Sequence, residues 1–331
     1  MRILITGGAG FIGSHLAERL VERGHSISVL DNLSTGSFEN IAGLADEGRL
    51  DFHLGDIQDR RAVEKLVGEA DFVVHLAAAL GVKLILERPV ECIETNVSGT
   101  QVVLEAAARK RTPVLIASTS EVYGKSNKIP FREDDDVVLG PTKKSRWSYA
   151  ASKMLDECLA LSYFEEKLLP AIVVRFFNTV GPRQNSRYGM VLPTFIKQAL
   201  EDAPITIHGD GKQSRCFCDV RDTVEALMRL MDAQPYGEVV NIGSTQEITI
   251  EDLAFLVRER LSSRSRILYT PYDRAYGHGY EDMHRRVPSV DRLYALTGFR
   301  PEITLPEIID RSAVHLRWAM AEVKCESRAL C

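Results

Sequence analysis

Thr6-Gly7-Gly8-Ala9-Gly10-Phe11-Ile12-Gly13 stands between a short β-rich run, Ile3–Thr6, and an amphipathic stretch over 13–23. Glycines at 7, 10 and 13 permit a tight turn, a close backbone approach and tight helix packing. The helix that follows offers free N–H groups and a positive dipole end to phosphate. About 20 residues on, Asp31 ends the second β-rich run, where an acid accepts hydrogen bonds from a ribose diol and repels a 2′-phosphate. The two features together read as a dinucleotide site suited to NAD rather than NADP. Gly7, Gly10, Phe11, Ile12, Gly13, Asp31 and Asn32 are its first candidate contacts.

Further β-rich runs follow at Ser26–Leu30, Asp51–Leu54, Phe72–Leu76, Val114–Ser118 and Ala171–Phe176, and amphipathic segments at 59–69, 95–110 and 149–166 separate them. This alternation predicts an α/β chain: a Rossmann-type doubly wound parallel sheet covered on both faces. After residue 178 turn residues become frequent, and helices are expected at 190–201, 219–232 and 250–261. Val239-Val240-Asn241-Ile242 reads as a strand that returns to the first sheet. The expected division is an NAD-binding domain over 1–178, with a returning strand near 237–243, and a smaller, interleaved substrate domain over 179–331. Ligands bind outside the carboxyl ends of such strands. Asp56 and Ile57 after the third strand, and Leu76, Ala77 and Ala78 at the end of the fourth, therefore join the cofactor candidates. The small residues could equally serve packing alone.

Composition narrows the partners. The chain has 331 residues, is 45% hydrophobic and 26% charged, and carries a formal net charge of -5. That balance implies no broad basic surface for nucleic acid. No apolar run reaches the ~20 residues that span a bilayer. The N-terminus leads straight into a strand without a signal-peptide pattern, so the expected setting is cytoplasmic with no membrane partner. Six cysteines are scattered, and Cys216-Phe217-Cys218 lacks both the usual metal-ligand spacing and a second ligand pair. They are expected to be buried thiols, with no metal site.

Tyr149-Ala150-Ala151-Ser152-Lys153 brings the chemistry. Residues four apart on a helix share a face, so Lys153 is expected beside the Tyr149 phenol. A nearby ammonium favours the ionised phenol. Such a tyrosine can take a proton from an alcohol as a hydride leaves the same carbon. The spacing alone is weak; the nucleotide features upstream give it its meaning.

These residues resemble the extended short-chain dehydrogenase/reductases that modify nucleotide sugars. The resemblance rests on the glycine turn, on Asp31-Asn32-Leu33-Ser34-Thr35-Gly36, and on Ser118-Thr119-Ser120-Glu121-Val122-Tyr123-Gly124. Tyr149 with Lys153 and Arg175-Phe176-Phe177-Asn178-Thr179-Val180-Gly181-Pro182-Arg183 complete it. It implies a tightly held NAD that oxidises a sugar hydroxyl, usually at carbon 4, and then returns the hydride. Tyr149 would be the base and later the acid, Lys153 would tune it and hold the nicotinamide ribose, and Thr119 would bond the same hydroxyl. Ser120, Asn178, Arg183, Val191, His208, Arg215 and Arg286 would contact a nucleotide sugar, with Arg215 and Arg286 pairing with its diphosphate. Helices 95–110 and 149–166 resemble those that build a homodimer interface.

Glu121 departs from the commonest 4-epimerase pattern, which has a small residue there. The Thr-Ser-Glu triplet resembles UDP-glucuronate decarboxylases and 4,6-dehydratases. Lys144-Ser145-Arg146-Trp147-Ser148-Tyr149 and Tyr276-Gly277-His278-Gly279-Tyr280-Glu281-Asp282 resemble the bacterial decarboxylase of aminoarabinose synthesis. A carboxyl at that place is expected either to move protons or to serve as a supporting hydrogen-bond partner. The preferred reading is a UDP-hexose or UDP-hexuronate 4-epimerase. A UDP-glucuronate decarboxylase comes next, and a 4,6-dehydratase third, since Ser120 stands where that enzyme wants a second acid. A catalytically idle NAD-binding regulator is opposed by the intact Thr119, Tyr149 and Lys153, and an NADPH reductase by Asp31.

Overall fold

The computed structural model describes residues 1–184, 190–272, 274, 281 and 283–329. Its centre is a parallel sheet of seven strands. Six are β1 (Arg2–Thr6), β2 (Ser26–Asp31), β3 (Leu50–Leu54), β4 (Phe72–His75), β5 (Val114–Thr119) and β6 (Ala171–Phe176); the seventh is Val239–Ile242. Across the sheet the order is Val239–Ile242, β6, β5, β4, β1, β2, β3. Most of these strands are runs of Val, Ile and Leu without polar alternation, as strands buried on both faces must be. One face packs Leu16, Leu20 and Val224, and the other Leu66, Val103 and Ala160. The expected doubly wound α/β architecture is present.

The chain winds outward one way through β1, β2 and β3 and the other way through β4, β5 and β6. The reversal between β1 and β4 opens a crevice at their carboxyl ends, where ligands bind in such sheets. Helices α1 (Phe11–Glu22), α2 (Ala42–Asp46), α3 (Arg60–Glu69), α4 (Val82–Glu87), α5 (Pro89–Lys110) and α6 (Arg146–Lys167) connect the strands. Two begin before the expected boundary. α5 starts on Pro89, whose fixed φ suits a first helical position. α6 starts on Arg146, so Arg146 and Tyr149 lie three residues apart on one turn.

Val239–Ile242 returns to pair in parallel with β6, with Asn241 opposite Arg175. Residues beyond β6 also build a second core from Leu192, Phe195, Ile207, Leu253 and Ile308. Around it lie α7 (Val191–Leu200), α9 (Ile250–Arg260) and the long helix Leu305–Ala329, while α8 (Val220–Ala233) packs beside α1 on the first core. Three short strands join there: Ser214–Cys216 lies between Glu247–Thr249 and Arg285–Arg286. Their register sets Arg215 opposite Arg286. A third cluster, with Tyr123, Phe131, Trp147, Phe177 and Met283, closes the seam between the two cores.

Among the described residues no helix is long and apolar enough to cross a membrane, and no group of residues could hold a metal ion. Cys216 and Cys218 are buried, and burial pushes both thiols up to about 12.

Candidate active site

The crevice floor is backbone meeting backbone. Gly7 has φ +73°, and a Cβ there would lie 2.7 Å from the Ala77 nitrogen. A Cβ on Gly13 would lie 2.4 Å from the Gly7 carbonyl oxygen, and one on Gly10 would lie 3.1 Å from it. Gly10 caps α1 without any side-chain hydrogen bond, and the first turn, which contains Phe11 and Ile12, has no acidic residue. The N–H groups of that turn are thus left for an anion.

Asp31 ties this turn to the end of β2. Its Oδ2 accepts from Ala9 N at 3.0 Å and its Oδ1 from Leu33 N at 2.8 Å. Burial raises its pKa above the ordinary carboxylate value against those two bonds. Asn32 donates to Asp56 Oδ2 at 2.8 Å, and Ile57 is buried beneath Gly99. Leu76 N donates to the Thr6 carbonyl oxygen at 3.0 Å, and Ala77 N to Thr6 Oγ1 at 3.3 Å. Ala78 follows in the same crevice-lining stretch. The glycine cradle, the uncapped helix start and the acid ending β2 together fit a dinucleotide.

Behind the floor runs a polar chain that the sequence reading missed. Thr6 Oγ1 lies 2.7 Å from His75 Nδ1, and His75 Nε2 lies 3.0 Å from Thr100 Oγ1. Burial holds His75 down at about 3, with the Lys153 charge adding to the effect, so the ring is neutral near pH 7. Asn96 accepts from Ala79 N at 2.8 Å and donates to Ser152 Oγ at 3.2 Å, which clamps the loop after β4 onto α6. The available signal was Asn96 and Thr100, two polar residues four apart on the apolar face of α5.

Tyr149 and Thr119 come together as expected: a hydrogen bond from the Thr119 side chain favours the phenolate. Lys153 has a partner that the helical spacing did not show. Lys153 Nζ is turned to Asp156 Oδ2 at 2.8 Å, with both side chains buried. The Tyr149 pKa is raised, chiefly by burial and then by the charges of Glu121 and Asp156. A carboxylate beside the lysine offsets part of the charge that the lysine offers a phenolate.

Glu121 is likewise placed differently from a proton mover. Both Arg146 guanidinium Nη atoms bond its carboxylate, Nη2 at 3.0 Å, and Arg286 Nη1 lies 3.2 Å from Oε1. Burial works against the charge, but Arg146, Arg286 and Arg215 outweigh it and hold the carboxyl at about 2. Such an acid has no proton to give near pH 7. Two guanidiniums thus meet on one carboxylate beside Tyr149. Ser120 is buried next to it.

The remaining candidates spread along the seam. Asn178, at φ +24°, donates to the Cys216 carbonyl oxygen at 3.1 Å. Arg215 is buried, and its Nη1 donates to the Ser214 carbonyl oxygen at 2.7 Å. His208 ends a strand, with its pKa lowered by burial, and Val191 opens α7. Arg183 does not join them: it reaches back to α1, with Nη2 2.5 Å from Glu18 Oε1 and Nη1 3.3 Å from Ser14 Oγ. Of the stretch 276–282, all but Glu281 lies outside the described residues.

Residues 3–243 match the NAD dependent epimerase/dehydratase family. The chain belongs to that family. It is an enzyme family that works with NAD, and NAD is the cofactor that the cradle above fits. A UDP-N-acetyl-alpha-D-glucosaminuronate decarboxylase of Bacillus cytotoxicus is 44% identical over 304 residues, covering 92% of this chain and 94% of its own. UDP-glucuronic acid decarboxylase 4 of Arabidopsis thaliana is 35% identical over 92% of this chain and 66% of its own. Among solved structures, the UDP-glucose 4-epimerase of Thermotoga maritima with UDP-glucose superposes with a TM-score of 0.88 at 28% identity, over 97% of this chain and 100% of its own.

Proposed function

We propose that this protein is an NAD-dependent decarboxylase of a UDP-linked hexuronate. The observation that carries the reading is the buried Glu121–Arg146–Arg286 cluster, which gathers two guanidiniums beside Tyr149. Guanidinium groups recognise a carboxylate by charge-assisted hydrogen bonds, so the carboxylate of a hexuronate suits this place better than the hydroxymethyl group of a neutral hexose. The two decarboxylase relatives, at 44% and 35% identity over most of the chain, support the same choice. The epimerase preference drawn from the general pattern of the chain therefore yields to its alternative.

In this reading Gly7, Gly10, Gly13, Asp31 and the residues at 76–78 hold NAD, which when bound takes the hydride of carbon 4 and later returns it. Tyr149 accepts the carbon-4 hydroxyl proton while Thr119 orients that hydroxyl. The resulting 4-ketone makes the sugar a β-keto acid. The bond between carbons 5 and 6 breaks, carbon dioxide leaves, and the electron pair passes to the carbon-4 oxygen as an enolate. Carbon 5 then regains a proton. Glu121 acts here as the anion that fixes Arg146 and Arg286 rather than as an acid. Residues 1–178 with the returning strand would hold the cofactor. Residues 179–331 would hold the nucleotide, through Asn178 at the boundary and through Val191, His208 and Arg215. Val90, Ile93 and Leu155, exposed on α5 and α6, support pairing with a second copy.

The test incubates the protein with UDP-glucuronate, UDP-N-acetylglucosaminuronate and UDP-glucose, and follows products by NMR. Carbon dioxide and a UDP-pentose are expected from a uronate. A 4-epimer that keeps carbon 6 would overturn the reading. Glu121→Gln should lower decarboxylation about 100-fold, the scale of removing one preorganised electrostatic partner.

A further inference from the structure

Among the buried ionisable groups that the steps just described leave without a part, Asp156 is the one paired with Lys153. Asp156 lies three residues beyond Lys153 on α6, fully buried, and its Oδ2 accepts from Lys153 Nζ at 2.8 Å. Its Oδ1 makes no hydrogen bond among the described residues. A carboxylate so buried keeps its charge only beside a cation, and Lys153 is that cation. An ammonium has three N–H donors and no acceptor. Asp156 takes one of the three and leaves two for the phenol and a ribose.

We propose that Asp156 is a positioning residue for the Tyr149–Lys153 pair: it fixes the ammonium by one N–H and cancels the lysine charge at the phenol. The neighbours on each element bear this out. From the turn after β5, Glu121 faces Tyr149 with Arg146 and Arg286 held on it. From α5 comes Cys92, and from the end of β5 the Thr119 hydroxyl. From β4, His75 lies within the field of Lys153 and stays neutral. Glu157, the next residue along α6, is turned away to Arg175 at 2.7 Å. Each carboxylate near the phenol thus has its own cation, and the cation of Asp156 is the lysine. Burial raises the phenol first, Glu121 next and Asp156 after it. Neutralising Asp156 removes one opposing charge and releases the full lysine charge toward Tyr149, so the phenol must ionise at lower pH.

The experiment uses Asp156→Asn in the NAD-containing protein, since asparagine keeps the size and still accepts from Lys153. Tyrosinate absorbance is titrated in the wild type and in Asp156→Asn, each minus its Tyr149→Phe counterpart, which isolates the signal of Tyr149. The midpoint should fall by about one pH unit, and the acid limb of the kcat profile should fall with it while KM holds. An unchanged midpoint in the folded variant overturns the proposal. Should Asp156→Asn fail to fold, Asp156→Ser carries the same expectation. The proposal rests on Tyr149 as the base only in its activity arm. A midpoint that falls while the kcat profile stays put would uphold Asp156 and remove Tyr149 from the reaction.

Discussion

The two ends of the crevice are held by different physics. At the cofactor end, strand ends and a helix start approach so closely that only hydrogen fits between them, and the nearby polar side chains are neutral or bonded to backbone. At the sugar end, the shape is held by charges: Glu121 by Arg146 and Arg286, Lys153 by Asp156, and Glu157 by Arg175. Contacts between backbones cannot be relaxed by turning a side chain. Ion pairs can be exchanged, and an incoming ligand of the right charge can take the place of a partner. A cofactor that stays bound suits the first end, and a substrate that comes and goes suits the second.

That contrast can be broken most severely at Gly13. A Cβ there already lies 2.4 Å from the Gly7 oxygen and 2.7 Å from Gly8 Cα. Gly13→Val should strip NAD from the purified protein and lower activity by roughly 100-fold or more, with several degrees lost in Tm. The check is the NAD released on denaturation, beside a melting curve.

Acid sharpens the contrast. His75 has a folded pKa of about 3 against the ordinary 6.5, so the unfolded chain binds the proton more readily. Its stabilising effect is complete above the unfolded value and is lost as pH falls toward the folded one. Between about pH 6.5 and 4.5 the loss is roughly 2–3 kcal/mol, at about 1.4 kcal/mol per unit. Glu121 is also depressed, to about 2, but from 4.5, so its stabilisation fails only below that window. Urea unfolding across this range should show the slope, and His75→Gln should flatten it. A slope unchanged in that variant would place the acid sensitivity elsewhere.

The smallest effect belongs to Arg183. Its bonds to Glu18 and Ser14 are partly exposed, and such a pair contributes ~1 kcal/mol or less. Arg183→Met should shift the denaturant midpoint slightly and leave KM for a UDP-sugar within about threefold, as for a contact that provides no binding energy. A large rise in KM would return Arg183 to the substrate site, where the resemblance had put it.

The same contrast explains what could be read from the sequence. The sheet and its cofactor crevice rest on local signals: β-rich runs, a glycine turn, an acid a fixed distance on, and the helical face shared by Tyr149 and Lys153. The sugar end rests on pairings that local patterns do not carry. Glu121 meets Arg146 across 25 positions and Arg286 from the far half of the chain. Once both guanidiniums are in place, the chemistry of that carboxylate inverts from acid to anchor. Asp156 was hidden for another reason. The face shared by residues four apart drew Lys153 to Tyr149, while a carboxylate three positions on reaches the same ammonium equally well.

The strand Val239–Ile242 sets an order of events. It fills the sheet beside β6, and Asn241 within it accepts from the Tyr123 hydroxyl and donates to the carbonyl oxygens of Phe131 and Ser289. A chain made from its N-terminus cannot seat this strand until residue 242 has left the ribosome, by which time all of α7 and α8 is already outside. The edge of β6 stays open until then, and the loop carrying Phe131 lacks the hydrogen bond from Asn241. The sheet that carries the cofactor crevice is thus begun first and completed late, so newly made chains should close it only after residues beyond β6 have begun to fold.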